Sequence, residues 1–176
     1  MCIRDSFYGN FLVVVKALAY LITLGKEGIP EASAGAVLNA NYLMKQLAGA
    51  YDMSYDTQCM HEFVMNLTRL HKETGVSALD MAKGMLDFDL HPPTMYFPLI
   101  VHEALMVEPC ETEAKQLMDE VCDIYGRLFD LAYSDPDALH TAPHDTPVRR
   151  LDEVGAARNM ICLLYTSPSP RDGATS

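Results

Sequence analysis

The stretch FDLHPPTMYFPLIVHEALMVEPCETE, residues 88–113, frames the rest of the chain. Pro92 and Pro93 remove two successive backbone donors and fix φ at both positions. They also push His91 and Pro92 toward extended geometry. The polar segment 91–94 is therefore stiff and cannot be helical. It runs into an alternating apolar segment, then a short strand of buried type at 104–107, then an acidic helix start. Two readings of the stiff segment stand side by side: a rigid connector between a helix and a sheet, or a loop that presents its side chains to a ligand.

Toward the N-terminus, residues 9–24 read as a helix that is apolar on nearly all faces, which is expected of a buried helix. Gly25 suits its C′ position, and Pro30 suits the first turn of a second helix. Val37, Ala40, Met44 and Leu47 then recur at helical spacing until Gly49. Asn39 and Asn41 read as part of a polar face. Residues 51–55 and 59–67 are strand candidates. In the second, His61 is the one polar residue on a face shared with Phe63, Met65 and Leu67. Residues 71–75 read as a polar turn. Ser77 and Asp80 form a loose capping box for a third helix reaching to about residue 88. Its apolar face is expected at Leu79, Ala82 and Leu86, with Gly84 a weak point costing about 1 kcal/mol against alanine.

Toward the C-terminus, residues 113–132 form the longest clear helix, with a stripe of Leu117, Val121, Ile124, Leu128 and Leu131 and a second weak glycine at 126. Ser134-Asp135-Pro136 opens a further short helix, and residues 141–158 read as an extended, proline-containing strap. The order helix, helix, strand, strand, helix, strand, helix reads as α+β, with helices packed on a small, mostly antiparallel sheet.

The chain has 176 residues, nearly half of them hydrophobic, enough for one packed domain. The net charge of −11 and the lack of a Lys/Arg patch argue against nucleic acid. Five cysteines in no metal spacing suggest a reducing, cytoplasmic setting. The apolar run at 11–24 is interrupted by Lys16 and too short to span a bilayer, so no membrane segment is expected. The ends, MCIRDS at 1–6 and CLLYTSPSPRDGATS at 162–176, lack the periodicity of the interior. Both look like translated sequencing adapter; a natural disordered tail is the rival reading of the second.

The residues alone mark out little chemistry. His61-Glu62 and His102-Glu103 offer ligand types without helical ligand spacing, and neighbours on a strand point to opposite faces. No metal is expected. Cys110 precedes a helix N-terminus that favours thiolate, although an inert small residue is the simpler reading. No Gly-rich phosphate loop is present.

A family resemblance adds what spacing cannot. HPPTMYFPLIVHEALMVEPCETEAK (91–115) resembles the small-domain signature of subunit 2 of the split glycine decarboxylase, the P-protein of the glycine cleavage system. Further segments resemble the same family in the same order. They are FYGNFLVVVKALAYLITLGKEG (7–28), AVLNANYLMKQL (36–47), YDTQCMHEFVMNLTR (55–69), LDMAKGMLDF (79–88) and APHDTPVRRLDEVGAARNMI (142–161). The resemblance implies a fold-type I pyridoxal 5′-phosphate enzyme that decarboxylates glycine and passes the aminomethyl group to the lipoyl arm of H-protein. It implies subunit 1 and H-protein as partners and a bacterial or archaeal cytoplasmic location. Residues 7–50 would be helices leading from a large domain, and 51–161 the small C-terminal domain.

The family's Schiff-base lysine follows a histidine in the large domain. His71-Lys72 mimics that dipeptide but precedes Glu-Thr-Gly, so the resemblance implies that the cofactor lysine is not in this chain and that the chain alone is inactive. By analogy with other fold-type I small domains, His91 and Thr94 are expected to line the substrate and cofactor cleft, with His61 second. Arg149 and Arg150 would bind an anion or a partner, or simply pair with Asp145 or Asp152. The family usually has threonine where Cys110 stands, which implies a weakened cap for the following helix. The other readings are the small domain of a different fold-type I decarboxylase or aminotransferase, and a non-catalytic interaction module.

Overall fold

The structure, a computed structural model, describes residues 9–158. The adapter-like ends at 1–6 and 162–176 lie outside the described residues. The sheet is built outward from strand β4 (Ala104–Val107), the apolar run of the opening stretch. It pairs antiparallel with β2 (Phe63–Asn66), placing Phe63 opposite Val107 and Met65 opposite Leu105. Opposed residues of an antiparallel pair share a face, so these four side chains form one apolar layer, and all four are buried. The pair β3 (Thr94–Met95) and β1 (Asp52–Met53) completes the sheet in the order β1-β2-β4-β3, with every pairing antiparallel. The α+β expectation stands.

Helix α1 (Phe11–Leu47) runs through both expected N-terminal helices. Its break is confined to Gly25, whose φ of 64° and ψ of −170° leave the helical region. Glycine alone enters that region freely, so the chain turns there and resumes without a loop. The two halves differ in fate. Ala40, Leu43, Met44 and Leu47 pack into the core, while residues 11–22 are all exposed, Ile22 by 71%. The expected buried first helix is thus corrected: its apolar side chains meet no covering element among the described residues.

Helix α2 (Thr68–Thr74) stands where a polar turn is expected. Gly75, at φ 81°, ends it in the left-handed cap that glycine favours. Helix α3 (Ala78–Leu86) begins with the expected capping box: the Asp80 amide donates to Ser77 Oγ and the Ser77 amide to the Asp80 carboxylate. Its buried face is Ala78, Met81, Ala82 and Met85 rather than Leu79 and Leu86. Gly84 is not a defect. A Cβ there would lie 2.7 Å from Leu139 Cδ2 and 3.1 Å from Leu128 Cδ2, so the glycine sets how closely α3 meets its neighbours.

Those neighbours are α4 (Lys115–Ser134) and α5 (Pro136–Thr141). The buried stripe of α4 is Met118, Tyr125, Leu128 and Ala132, rotated from the expected leucine stripe, with Leu117 exposed. Tyr125 is central: its ring stands edge-on to Tyr51 at 5.7 Å, and its carbonyl accepts the Tyr51 hydroxyl at 2.7 Å. The N-cap of α4 is Ala114, which offers no side-chain acceptor, so Cys110 is not the capping residue the family pattern implies. Asp135 caps α5 as expected, with Pro136 in its first turn. The strap beyond it ends in an unexpected short helix, α6 (Glu153–Arg158). Among the described residues, no helix is long and apolar enough to cross a membrane.

Candidate functional site

Two open clefts flank the segment that leaves β4, residues 108–110, which lines both. The first, about 420 Å³, lies between the stiff segment and α4. His91, Pro92, Pro93 and Thr94 form one side, Leu117, Met118, Val121 and Tyr125 the other. The double proline explains the geometry. It holds 91–93 extended and delivers Thr94 into register opposite Met106 on β4. His91 and Thr94 are both exposed and both line this cleft. The second cleft, about 440 Å³, lies between α1 and the same segment and contains His61, Tyr20, Ser33 and Val37. His61 precedes β2 instead of lying within it, and is neither a core residue nor a neighbour of His91 along one wall. The structure thus brings His91 and Thr94 together and places His61 across the 108–110 segment.

Two asparagines hold this arrangement, and reading them as a polar helix face missed their role. Asn39 is buried, and its side-chain amide donates to the carbonyls of Cys110 at 2.9 Å and Glu113 at 3.2 Å. Asn41 donates to the Cys59 carbonyl at 2.8 Å and accepts from the Cys59 amide at 3.0 Å. Two amides on one helix therefore clamp the two backbone segments that bound the second cleft. Each satisfies main-chain groups that no strand partner reaches. The available signal was their setting: both flank Ala40 in a run that also carries the core residues Leu43 and Met44. Further out on α1, Tyr20 donates its hydroxyl to Glu111 at 2.9 Å; that carboxylate, chiefly through the hydrogen bond, pushes the Tyr20 phenol upward.

Arg150 has a different fate from the one expected. Its guanidinium meets Asp80 at 2.6 Å and donates to the carbonyls of Leu139 and Ala142. All of these partners are within the fold, and neither Asp145 nor Asp152 is among them. Burial alone would raise the Asp80 carboxyl. The Ser77 hydroxyl and amide, then Arg150, outweigh it and hold the group below the usual carboxylate range. His140 adds a third contact to the same carboxylate at 3.3 Å. Arg149 is exposed and makes no hydrogen bond or ion pair among the described residues.

A pyridoxal phosphate site needs a lysine for the cofactor aldehyde and donors for its phosphate. Among the described residues, neither cleft has a lysine or arginine on its lining. Lys72 sits exposed on α2. The described residues lining these two clefts do not make a holding site for that cofactor.

Residues 32–140 match the family model described as glycine dehydrogenase, C-terminal domain. Over 156 residues the chain is 56% identical to a probable glycine dehydrogenase (decarboxylating) subunit 2 of Treponema denticola, an alignment covering 89% of this chain and 32% of that protein. A protein of the same description from Thermotoga maritima is 52% identical over 156 residues, covering 89% and 33%. One from Kosmotoga olearia is 54% identical over 153 residues, covering 87% and 32%. The chain spans about a third of the length of these curated relatives. With a family match over 109 residues, 32 through 140, within a chain of 176, it belongs to the glycine dehydrogenase C-terminal domain family.

Proposed function

We propose that this chain is the small C-terminal domain of a fold-type I, pyridoxal-phosphate-dependent glycine decarboxylase subunit. The parent enzyme decarboxylates glycine and passes the aminomethyl group to the lipoyl arm of H-protein, working with subunit 1 in the cytoplasm. The names and identities of the relatives support the parent activity. The cofactor, when bound in the parent, supplies the electron sink for decarboxylation. This chain supplies a wall of the site and no lysine for it, so alone it neither holds the cofactor covalently nor turns over glycine. The exposed apolar half of α1 fits a helix that the rest of the parent covers.

The observation that carries the role of the small domain is the placement of His91 and Thr94 on one cleft by a proline-locked segment. A stiff loop loses little entropy on meeting a ligand, so its side chains are preorganised to orient one. In the full-length subunit paired with its partner, His91→Ala should lower glycine turnover about tenfold or more while leaving the melting temperature within a degree or two. Turnover unchanged from the parent removes His91 from the site. Arg149, exposed and without a partner among the described residues, is the remaining candidate for an anion or partner contact; Arg150 is committed to Asp80.

A further inference from the structure

The entrance of β2 and the exit of β4 meet at one corner of the sheet. Because Phe63 pairs with Val107, the next residues outward, Glu62 and Glu108, are carried to the same end. His61 follows, with Nε2 3.7 Å from Glu108 Oε1. One ligand atom from each of His61, Glu62 and Glu108 lies within 4.8 Å of the others. Strand alternation does not separate His61 from Glu62, because both precede β2.

Among the described residues, ion pairing at this corner is limited to His61 with Glu108. Glu62 makes no hydrogen bond or ion pair among the described residues, and Glu108 has only His61. Among the described residues, neither lysine nor arginine lines the adjoining clefts. Two carboxylates held near each other repel, and a cation between them relieves that. The backbone behind them is fixed, since Asn41 clamps Cys59 from both sides and Asn39 clamps Cys110.

We propose that His61, Glu62 and Glu108 form a divalent-cation site that pins the entrance of β2 to the exit of β4. One imidazole nitrogen with two carboxylate oxygens suits a borderline first-row ion such as zinc or cobalt better than calcium or magnesium, which prefer oxygen alone. Metal–ligand distances of about 2.0–2.2 Å require these side chains to close by roughly 1 Å. Three protein ligands leave at least one coordination position facing the second cleft, open to water or a small anionic ligand. The site uses neither His91 nor Thr94.

The test is titration of the chelator-treated chain with cobalt(II), followed by visible absorbance, and with zinc(II), followed by calorimetry. One equivalent should bind with a dissociation constant on the order of 10 μM. At a hundredfold excess over that constant, Tm should rise by about 5 °C. His61→Ala and Glu108→Gln, both at exposed positions, should each weaken binding at least about tenfold. His140→Ala, at a histidine elsewhere, should not. Absence of binding at about 1 mM metal, or binding that survives both substitutions, overturns the proposal.

Discussion

The two sides of the domain use polar residues in opposite ways. Around Asp80 the polar groups are consumed by the fold. Ser77, Arg150 and His140 converge on one carboxylate, and Arg150 also takes two carbonyls of the strap. Around residues 108–110 the backbone is held as firmly, by Asn39 and Asn41, yet the side chains it presents are left open. His91 and Thr94 are exposed on one cleft; His61 and Glu108 are exposed on the other. Polar side chains with partners inside the chain finish a fold. Those aimed outward from a clamped backbone are available to something else.

The largest effect should come from breaking the closed side. Asp80→Asn leaves Arg150 without its carboxylate in a partly buried setting, at a cost of about 3 kcal/mol by denaturant unfolding. The same group sets an acid limit. Its folded pKa is depressed, so its contribution is present above the unfolded value of about 3.9 and is lost as pH falls from there through the lower folded value. The chain should lose stability below about pH 4, and Asp80→Asn should flatten that part of the profile. A wild-type slope that persists in Asp80→Asn would assign the acid sensitivity elsewhere.

Next comes Gly84→Ala. Helix propensity predicts a gain of about 1 kcal/mol, whereas the approach of Leu139 to 2.7 Å predicts a loss of about 2 kcal/mol from overpacking. The sign of the change decides which effect wins, and a shift in the denaturation midpoint reads it directly. A gain would mean that α3 and α5 are less tightly joined than this geometry requires.

The sequence made some of this legible for physical reasons. An apolar run of four bounded by Glu103 and Glu108 marks β4, and Ser77 with Asp80 marks the start of α3, because each signal is local. Helix α2 left no such trace: it buries only Leu70 and is otherwise polar, so no periodicity betrays it. The stripe of α4 was misplaced because a count of aliphatic residues passes over Tyr125, whose hydrophobic ring carries the contact. The clamps at Asn39 and Asn41 and the Arg150–Asp80 pair join residues 18 to 74 positions apart. Only the assembled topology displays such partners. The proposed cleft role of His91 and Thr94 rests on the family resemblance, and the proline lock explains why that segment holds its shape.

The smallest effect is the most useful for the open side. Gly126 lies in the middle of α4, and a Cβ there would meet nothing within 4 Å. Gly126→Ala in this chain should therefore recover the propensity term alone, a stabilisation of about 0.5–1 kcal/mol. The opposite sign from Gly84→Ala would show that packing, not helix propensity, separates the two glycines. Placed in the full-length subunit, the same methyl group reports on what surrounds α4 in the parent. A retained gain means that this face stays in solvent there as it does here. A loss means that a segment of the parent packs against Gly126, which would extend the covered surface from the exposed half of α1 to the outer face of α4.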